Sequence, residues 1–338
     1  MRIGLDAMGG DYAPREIVRG AVEALDVAEG HELVLLGDEP VVRYELDRLG
    51  VGSKAIRVVH TSQTIGMNES PIEAVRTKRD SSLVKMVTLA ADGQLDAVIS
   101  AGNTGAFAAA SQLKMKLLPG VSRAGIAVIL PSFTGPIILC DAGANITPKP
   151  HHLFEYAITA TAYARYVLRI DRPRVALLSV GEEDAKGTTL VKQAHEVLRT
   201  SKNVNFVGNV EGRDLFRGGC DVVICDGFVG NIALKLIEGL AEGLFKTIAK
   251  EIALASPELA RSFEPVVKRV WANHDYAEYG GAPLLGVDGA CIICHGSSNH
   301  VAIRNAVRVA LDYLNNDLNS IIAAELGKEP APGANSGE

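Results

Sequence analysis

Four polar turns in this chain carry residue types suited to holding an anion. They are Ser100-Ala101-Gly102-Asn103-Thr104-Gly105, Cys140-Asp141-Ala142-Gly143-Ala144-Asn145, Cys225-Asp226-Gly227-Phe228-Val229-Gly230-Asn231 and His295-Gly296-Ser297-Ser298-Asn299. Each follows a short apolar run that reads as a buried strand. The longest-patterned one, Asp221 to Asn231, opens into a helical pattern from Ile232 to Glu251. Free backbone N–H groups and the positive end of a helix make such a turn a natural anion site. Asp6, Asp141 and Asp226 each end an apolar strand, and Gly9-Gly10-Asp11 follows the first of them. Any one of these acids could be a cap; three at strand ends look like the lining of a cleft, where open α/β sheets bind ligands.

Other chemistries fit less well. Gly102-Asn103-Thr104-Gly105 lacks the Lys-Ser/Thr of a phosphate-binding loop and the third glycine of a dinucleotide fingerprint. Alone it is as consistent with a tight turn as with a ligand. Cys291-Ile292-Ile293-Cys294-His295 has the spacing of covalent haem attachment but reads as a buried strand, so its cysteines are structural. His151-His152 has no acid or cysteine cluster beside it and reads as a surface pair, so no metal site is expected. Lys186 stands in a glycine-bracketed, acid-rich loop, and Arg76, Lys78 and Arg79 form a basic patch; solvated surface is the plain reading of both.

The elements that position these turns follow from the pattern. Ile3–Met8, 32–36, 55–59, 97–100, 174–179, 204–207, 222–225 and 290–294 read as strands alternating with amphipathic helices, which implies a mostly parallel sheet with helices on both faces. The runs 125–130 and 136–140 are close enough for a hairpin, so the sheet is expected to be mixed. At 338 residues two lobes are expected, 1–120 with 290–326 and 121–289, followed by a Gly/Pro/Ala-rich tail, 327–338, read as disordered. A net charge of −6 and a pI near 5.8 argue against a general nucleic-acid binder. No apolar run approaches the roughly 20 residues that span a bilayer, and the start of the chain is a strand, so a cytoplasmic protein with free buried thiols is expected.

Met1-Arg2-Ile3-Gly4-Leu5-Asp6-Ala7-Met8-Gly9-Gly10-Asp11, the turns at 100–105, 225–231 and 295–299, and Asp275-Tyr276-Ala277-Glu278-Tyr279-Gly280-Gly281-Ala282-Pro283 together resemble the bacterial phosphate acyltransferase family over about residues 1–320. Glu69 and Phe107 depart from the family pattern, where Asp and Leu are common. The resemblance implies the isocitrate/isopropylmalate dehydrogenase-like fold shared with phosphotransacetylase, a homodimer, and peripheral association with the inner face of the cell membrane. It implies transfer of a long-chain acyl group from acyl carrier protein (ACP) to inorganic phosphate, with the acyl phosphate passed to a glycerol-3-phosphate acyltransferase. No cofactor is implied.

By the same resemblance, Lys186 binds phosphate and neutralises charge in the transition state, and Asn231 orients phosphate or the thioester carbonyl. The substrate-binding set is Asp6, Gly9, Gly10, Asp11, Gly102, Asn103, Thr104, Gly105, Asp141, Asn145, Asp226, Gly227, Gly230, His295, Gly296, Ser297 and Ser298. Asp141 and Asp226 are expected to hold loops or bond pantetheine amides, and Cys225 to pack. Arg76, Lys78, Arg79, Lys268 and Arg269 are candidates to dock acidic ACP. The helices between about 232 and 271, with Leu254, Leu259, Phe263 and Val267 near their junction, are either a membrane-contacting element or a dimer face. The rival activity is a phosphotransacetylase acting on short-chain acyl-CoA; a nicotinamide dehydrogenase lacks its adenosine fingerprint, and a non-catalytic scaffold would not need Lys186 and Asn231.

Overall fold

The computed structural model describes residues 1–52, 55–274 and 280–328, with backbone only for 242, 257 and 267–274. Eleven strands form one sheet in the order β3-β2-β1-β4-β11-β10-β5-β6-β9-β7-β8. The strands are β1 (Arg2–Asp6), β2 (Glu32–Gly37), β3 (Arg57–His60), β4 (Ala97–Ser100), β5 (Gly125–Ser132), β6 (Gly135–Cys140), β7 (Arg174–Ser179), β8 (Asn205–Glu211), β9 (Val222–Ile224), β10 (Ala282–Leu285) and β11 (Ala290–Ile293). The helices that matter for the site are α1 (Arg15–Glu23), α3 (Pro71–Thr77), α5 (Thr104–Lys114), α6 (Pro150–Tyr166), α7 (Thr189–Thr200), α8 (Gly227–Ala255), α9 (Pro257–His274), α10 (His300–Asn315) and α11 (Leu318–Lys328). The shorter α2 (Glu39–Arg48) and α4 (Ser82–Ala91) flank the β1 side.

Strands β1, β4, β9 and β11 read as unbroken apolar runs because helices cover both faces, leaving no solvent face to alternate toward. Side chains such as Ile3, Leu5, Val98, Val223 and Ile292 are fully buried, each contributing about 1.5–3 kcal/mol of burial. Helix starts are set by short polar caps. Asp38, Ser81, Asn103, Thr188, Asp226 and Asn299 each accept a hydrogen bond from a backbone N–H in the first turn.

The hairpin is present: β5 and β6 are antiparallel, with Ala127 opposite Cys140. The sheet is mixed in a way the sequence reading did not resolve. β1, β2, β3, β4 and β11 run parallel to one another, as do β6, β7, β8 and β9. Between these blocks β10 is antiparallel to both β11 and β5. The two blocks therefore run in opposite directions, and the strand ends carrying the four turns do not share one edge. The short β10 lets ends from both blocks meet.

Three further differences have local causes. The terminal segment stays helical through Gly327 and Lys328, because α11 packs Leu318, Ile322 and Leu326 into the core; residues 329–338 of the expected tail lie outside the described residues. His152 is buried, not a surface residue: its Nδ1 accepts the Lys149 N–H at 2.9 Å and its ring meets that of His151 edge-on. Burial, aided by the neighbouring His151, Arg123 and Lys149, pushes its pKa down to about 4. All five cysteines are free and buried, as expected.

Helix α8 is 29 residues long, about 43 Å at 1.5 Å per residue. Phe228, Ile232, Leu236, Leu240, Leu244 and Ile248 recur every fourth residue along it, and all are exposed. At Ser256 the chain breaks between α8 and α9, and the Ser256 hydroxyl accepts from the N–H groups of Glu258 and Leu259. Leu254, Leu259 and Phe263 are exposed around this junction; the side chain of Val267 lies outside the described residues. Among the described residues no helix is long and apolar enough to cross a membrane.

Candidate active site

A cavity of about 390 Å³ lies where the two parallel blocks meet. Turns from the first block give it Asp11, Thr104, Gly105, His295, Gly296 and Ser298. The second block gives Ala142, Gly143 and Asn231. An apolar wall is formed by Ile126, Val128 and Ile129 of β5, with Leu234 and Ile293. One chamber thus presents polar turn atoms beside a hydrocarbon-like surface.

Asn231 is placed by close backbone contact. Asp226 caps α8 by accepting the Val229 N–H at 2.9 Å, and the Gly227 N–H donates to the Asn145 carbonyl at 2.8 Å. A Cβ at Gly227 would stand 2.7 Å from that carbonyl oxygen, and one at Gly230 would overlap the Asp141 carbonyl oxygen. Both glycines are therefore required for the 141–145 turn to sit on the first turn of α8. Gly143, at φ +139°, lies against the Asn231 side chain. Asn231 is half-buried, and among the described residues its carboxamide has no hydrogen-bond partner.

The expected acids hold loops. Asp141 accepts from the N–H groups of Ile126, Gly143, Ala144 and Asn145 at 2.7–3.0 Å. Burial raises its pKa while those N–H groups act the other way. Asn145 donates to the Ala124 carbonyl and to the Tyr156 hydroxyl, so its amide ties the residue just before β5 to α6. Asp6 accepts from the Ser100 hydroxyl at 2.7 Å, and Ser100 Oγ in turn accepts the Gly102 N–H. Burial raises the Asp6 pKa as well. A Cβ at Gly9 would stand 2.5 Å from Asp6 Oδ2 and 2.8 Å from the Gly102 nitrogen. Gly10, at φ +106°, turns the chain so that the Asp11 N–H donates to the Gly296 carbonyl at 2.8 Å. Both carboxyls are thus engaged in holding their own turns rather than arranged as bases.

Asn103 is likewise structural. Its Oδ1 caps α5 through the Ala106 N–H, and its Nδ2 donates to the carbonyls of Gly66, Met67 and Glu69. The neighbouring Thr104 and Gly105 are exposed to the cavity. His295 Nδ1 is 2.7 Å from the Ser297 hydroxyl, and the Ser298 N–H donates to the His295 carbonyl. Cys225 is buried, with Sγ 3.5 Å from the Asp141 carbonyl oxygen; burial holds its thiol well above the usual range, so it is a packing group.

Lys186 stands apart. It is exposed on the loop after β7 and is not among the residues lining the cavity. That loop leaves the sheet at the same edge as β6 and β9, since the three strands are parallel neighbours. Its stem crosses Gly181, where a Cβ would stand 2.9 Å from Lys186 Cγ. The basic patch is partly spent: Lys78 pairs with Glu69 at 2.6 Å, whereas Arg76 and Arg79 are exposed. The side chains of Lys268 and Arg269 lie outside the described residues. Lys235 and Glu238, which the sequence reading passed over, line the cavity with Asn231. Their spacing of four and seven residues along a helix puts them on one face; that period was readable once Asn231 was taken as the anchor.

Residues 1–321 match the family model described as "Fatty acid synthesis protein". A phosphate acyltransferase of Halothermothrix orenii is 46% identical over 334 residues, covering 97% of this chain and 99% of that protein. A phosphate acyltransferase of Pelotomaculum thermopropionicum is 47% identical over 339 residues, covering 99% and 97%. Among solved structures, a phosphotransacetylase from Streptococcus pyogenes superposes with a TM-score of 0.65 at 18% identity, covering 97% of this chain and 94% of that one, which establishes the shared fold. With near full-length identity of this degree, the chain belongs to the phosphate acyltransferase family of fatty acid synthesis proteins.

Proposed function

We propose that this chain transfers a long-chain acyl group from acyl-ACP to inorganic phosphate. The observation that carries the reading is the cavity itself: polar turn atoms and the Asn231 carboxamide face an apolar wall of β5 within one chamber. An anion and an acyl thioester can be held side by side there.

The reaction needs no covalent enzyme intermediate. An oxygen of hydrogen phosphate attacks the thioester carbonyl carbon, forming the C–O bond and a tetrahedral oxyanion. Collapse breaks the C–S bond and releases the pantetheine thiolate. The proton originally on phosphate ends on sulfur, so acyl phosphate and free thiol balance the step. Two groups already near attack geometry gain most from positioning and from dipoles aimed at the oxyanion. Asn231 supplies a side-chain donor. Thr104, Gly105, Gly296 and Ser298 supply backbone and hydroxyl donors at the starts of α5 and α10. Lys186 supplies positive charge from the neighbouring β7 loop.

The alternative on this fold is transfer from short-chain acyl-CoA. The apolar wall favours a long chain, and the expected result is a kcat/KM for palmitoyl-ACP at least about 100-fold above that for acetyl-CoA, since each buried methylene contributes about 0.8 kcal/mol. Equal or greater activity with acetyl-CoA would replace this reading with the alternative.

The exposed faces of α8 and α9 suit two further roles, a homodimer through the α8 stripe and peripheral contact with the inner membrane face through the α8–α9 junction. The acyl phosphate would then reach a membrane acyltransferase without crossing bulk water. Leu240→Glu should convert the dimer to monomer in light scattering, and Leu254→Glu should abolish sedimentation with anionic liposomes while leaving the dimer intact. A Leu254→Glu protein that still sediments would remove the membrane assignment.

A further inference from the structure

Helix α8 places a second group against the ligand space. Lys235 lies one turn beyond Asn231 and lines the same cavity, and among the described residues its ammonium group makes no ion pair or hydrogen bond. An exposed lysine usually points into open solvent; this one faces a chamber walled by Ile126, Val128 and Leu234. Glu238, three residues further on, lines the chamber as well; burial raises its carboxyl pKa, and the neighbouring His295 and Lys235 act the other way. Among the described lining residues Lys235 is the one lysine or arginine, with the carboxyls of Asp11 and Glu238 on the same lining. Lys186, by contrast, is exposed and is not among the residues that line the cavity.

We propose that Lys235 is the resident cation that binds the phosphate substrate in the cavity, beside Asn231 and facing the turn donors of α5 and α10. The inference rests on the phosphate-acyltransferase reading given above. A lysine ammonium is a compact point charge that recognises a phosphate group without a fixed fork geometry. Two phosphate groups could meet it: free inorganic phosphate, or the phosphodiester of the carrier's pantetheine arm. The inorganic ion is favoured because Lys235 shares a helix face with the carboxamide that borders the reacting carbonyl.

Steady-state kinetics with palmitoyl-ACP and varied phosphate separates the outcomes. Lys235→Ala should raise KM for phosphate by about tenfold or more, the loss expected for a charged hydrogen-bond partner, with KM for acyl-ACP unchanged. Lys235→Arg should restore most of the phosphate affinity. An Ala variant with wild-type KM for phosphate overturns the proposal, as does a rise confined to KM for acyl-ACP, which would assign Lys235 to the pantetheine arm. Wild-type enzyme that releases no ACP with phosphate would overturn the parent reading and this one with it. Because Lys235 lies on a helix surface and Ala favours helix, an unchanged circular dichroism spectrum and Tm are expected for the variant.

Discussion

Asn231→Ala is expected to lower kcat by about 10²–10³, the usual cost of removing one preorganised donor from a developing oxyanion, with little change in Tm. Much of the local structure exists to deliver this side chain. Gly227 and Gly230 let the 141–145 turn touch α8, the four N–H groups around Asp141 fix that turn, and Gly143 lies flat against the Asn231 side chain. Yet the carboxamide itself bonds to nothing among the described residues. A polar group positioned with such care and left unpaired is poised for a ligand. Asn231→Asp, which keeps the size and replaces the amide donor with a carboxylate, should be at least as damaging, because it places a negative charge beside an anionic substrate. Wild-type kcat in Asn231→Ala would remove the residue from the mechanism.

Lys186→Ala is expected to reduce turnover by a similar factor at saturating phosphate, again about 10²–10³. The loop that carries Lys186 is braced without it. The Glu183 carbonyl accepts from Asn209 Nδ2 at 3.0 Å, and Asp184 meets His195 at 3.3 Å. The lysine contributes only its backbone N–H to that loop, at 2.9 Å from the same Glu183 carbonyl, so truncating its side chain leaves the fold unchanged. A loss of kcat at constant Tm and constant KM for phosphate would place its charge in the transition state. Retention of wild-type turnover would return it to the solvated surface role that its exposure alone suggests. The contrast with Lys235 is direct: one variant should lose kcat, the other phosphate affinity.

Much of the scaffold was legible because its signals are local. Asn103, Asp226 and Asn299 lie in the polar turns read as helix openings and cap those helices, and the strand-end glycines mark the turns. The substrate class came from resemblance, not from these patterns. What stayed hidden is set by non-local packing. β10 has no strand signal of its own: it is four residues long and includes Pro283, and it pairs between β11 and β5. Without β10 the opposed direction of the two blocks is invisible, since each block read alone looks like part of one continuous parallel sheet. Lys235 and Glu238 were hidden for a different reason. They belong to an ordinary amphipathic pattern, and only the placement of α8 against β5 turns that face toward a cavity. His152 was misread because adjacent histidines at a helix start resemble a solvated pair, until one folds back to accept a backbone N–H. The separation of Lys186 from the cavity lining could not be read from spacing at all.

Attack of phosphate on an acyl thioester in the cavity between the two blocks makes ACP release depend on phosphate. The decisive measurement incubates the purified chain with palmitoyl-ACP and follows free ACP with and without inorganic phosphate. Release is expected only when phosphate is present, with stoichiometric acyl phosphate and no acylated protein by mass spectrometry. Release without phosphate, or an acyl group trapped on Cys225, would contradict it.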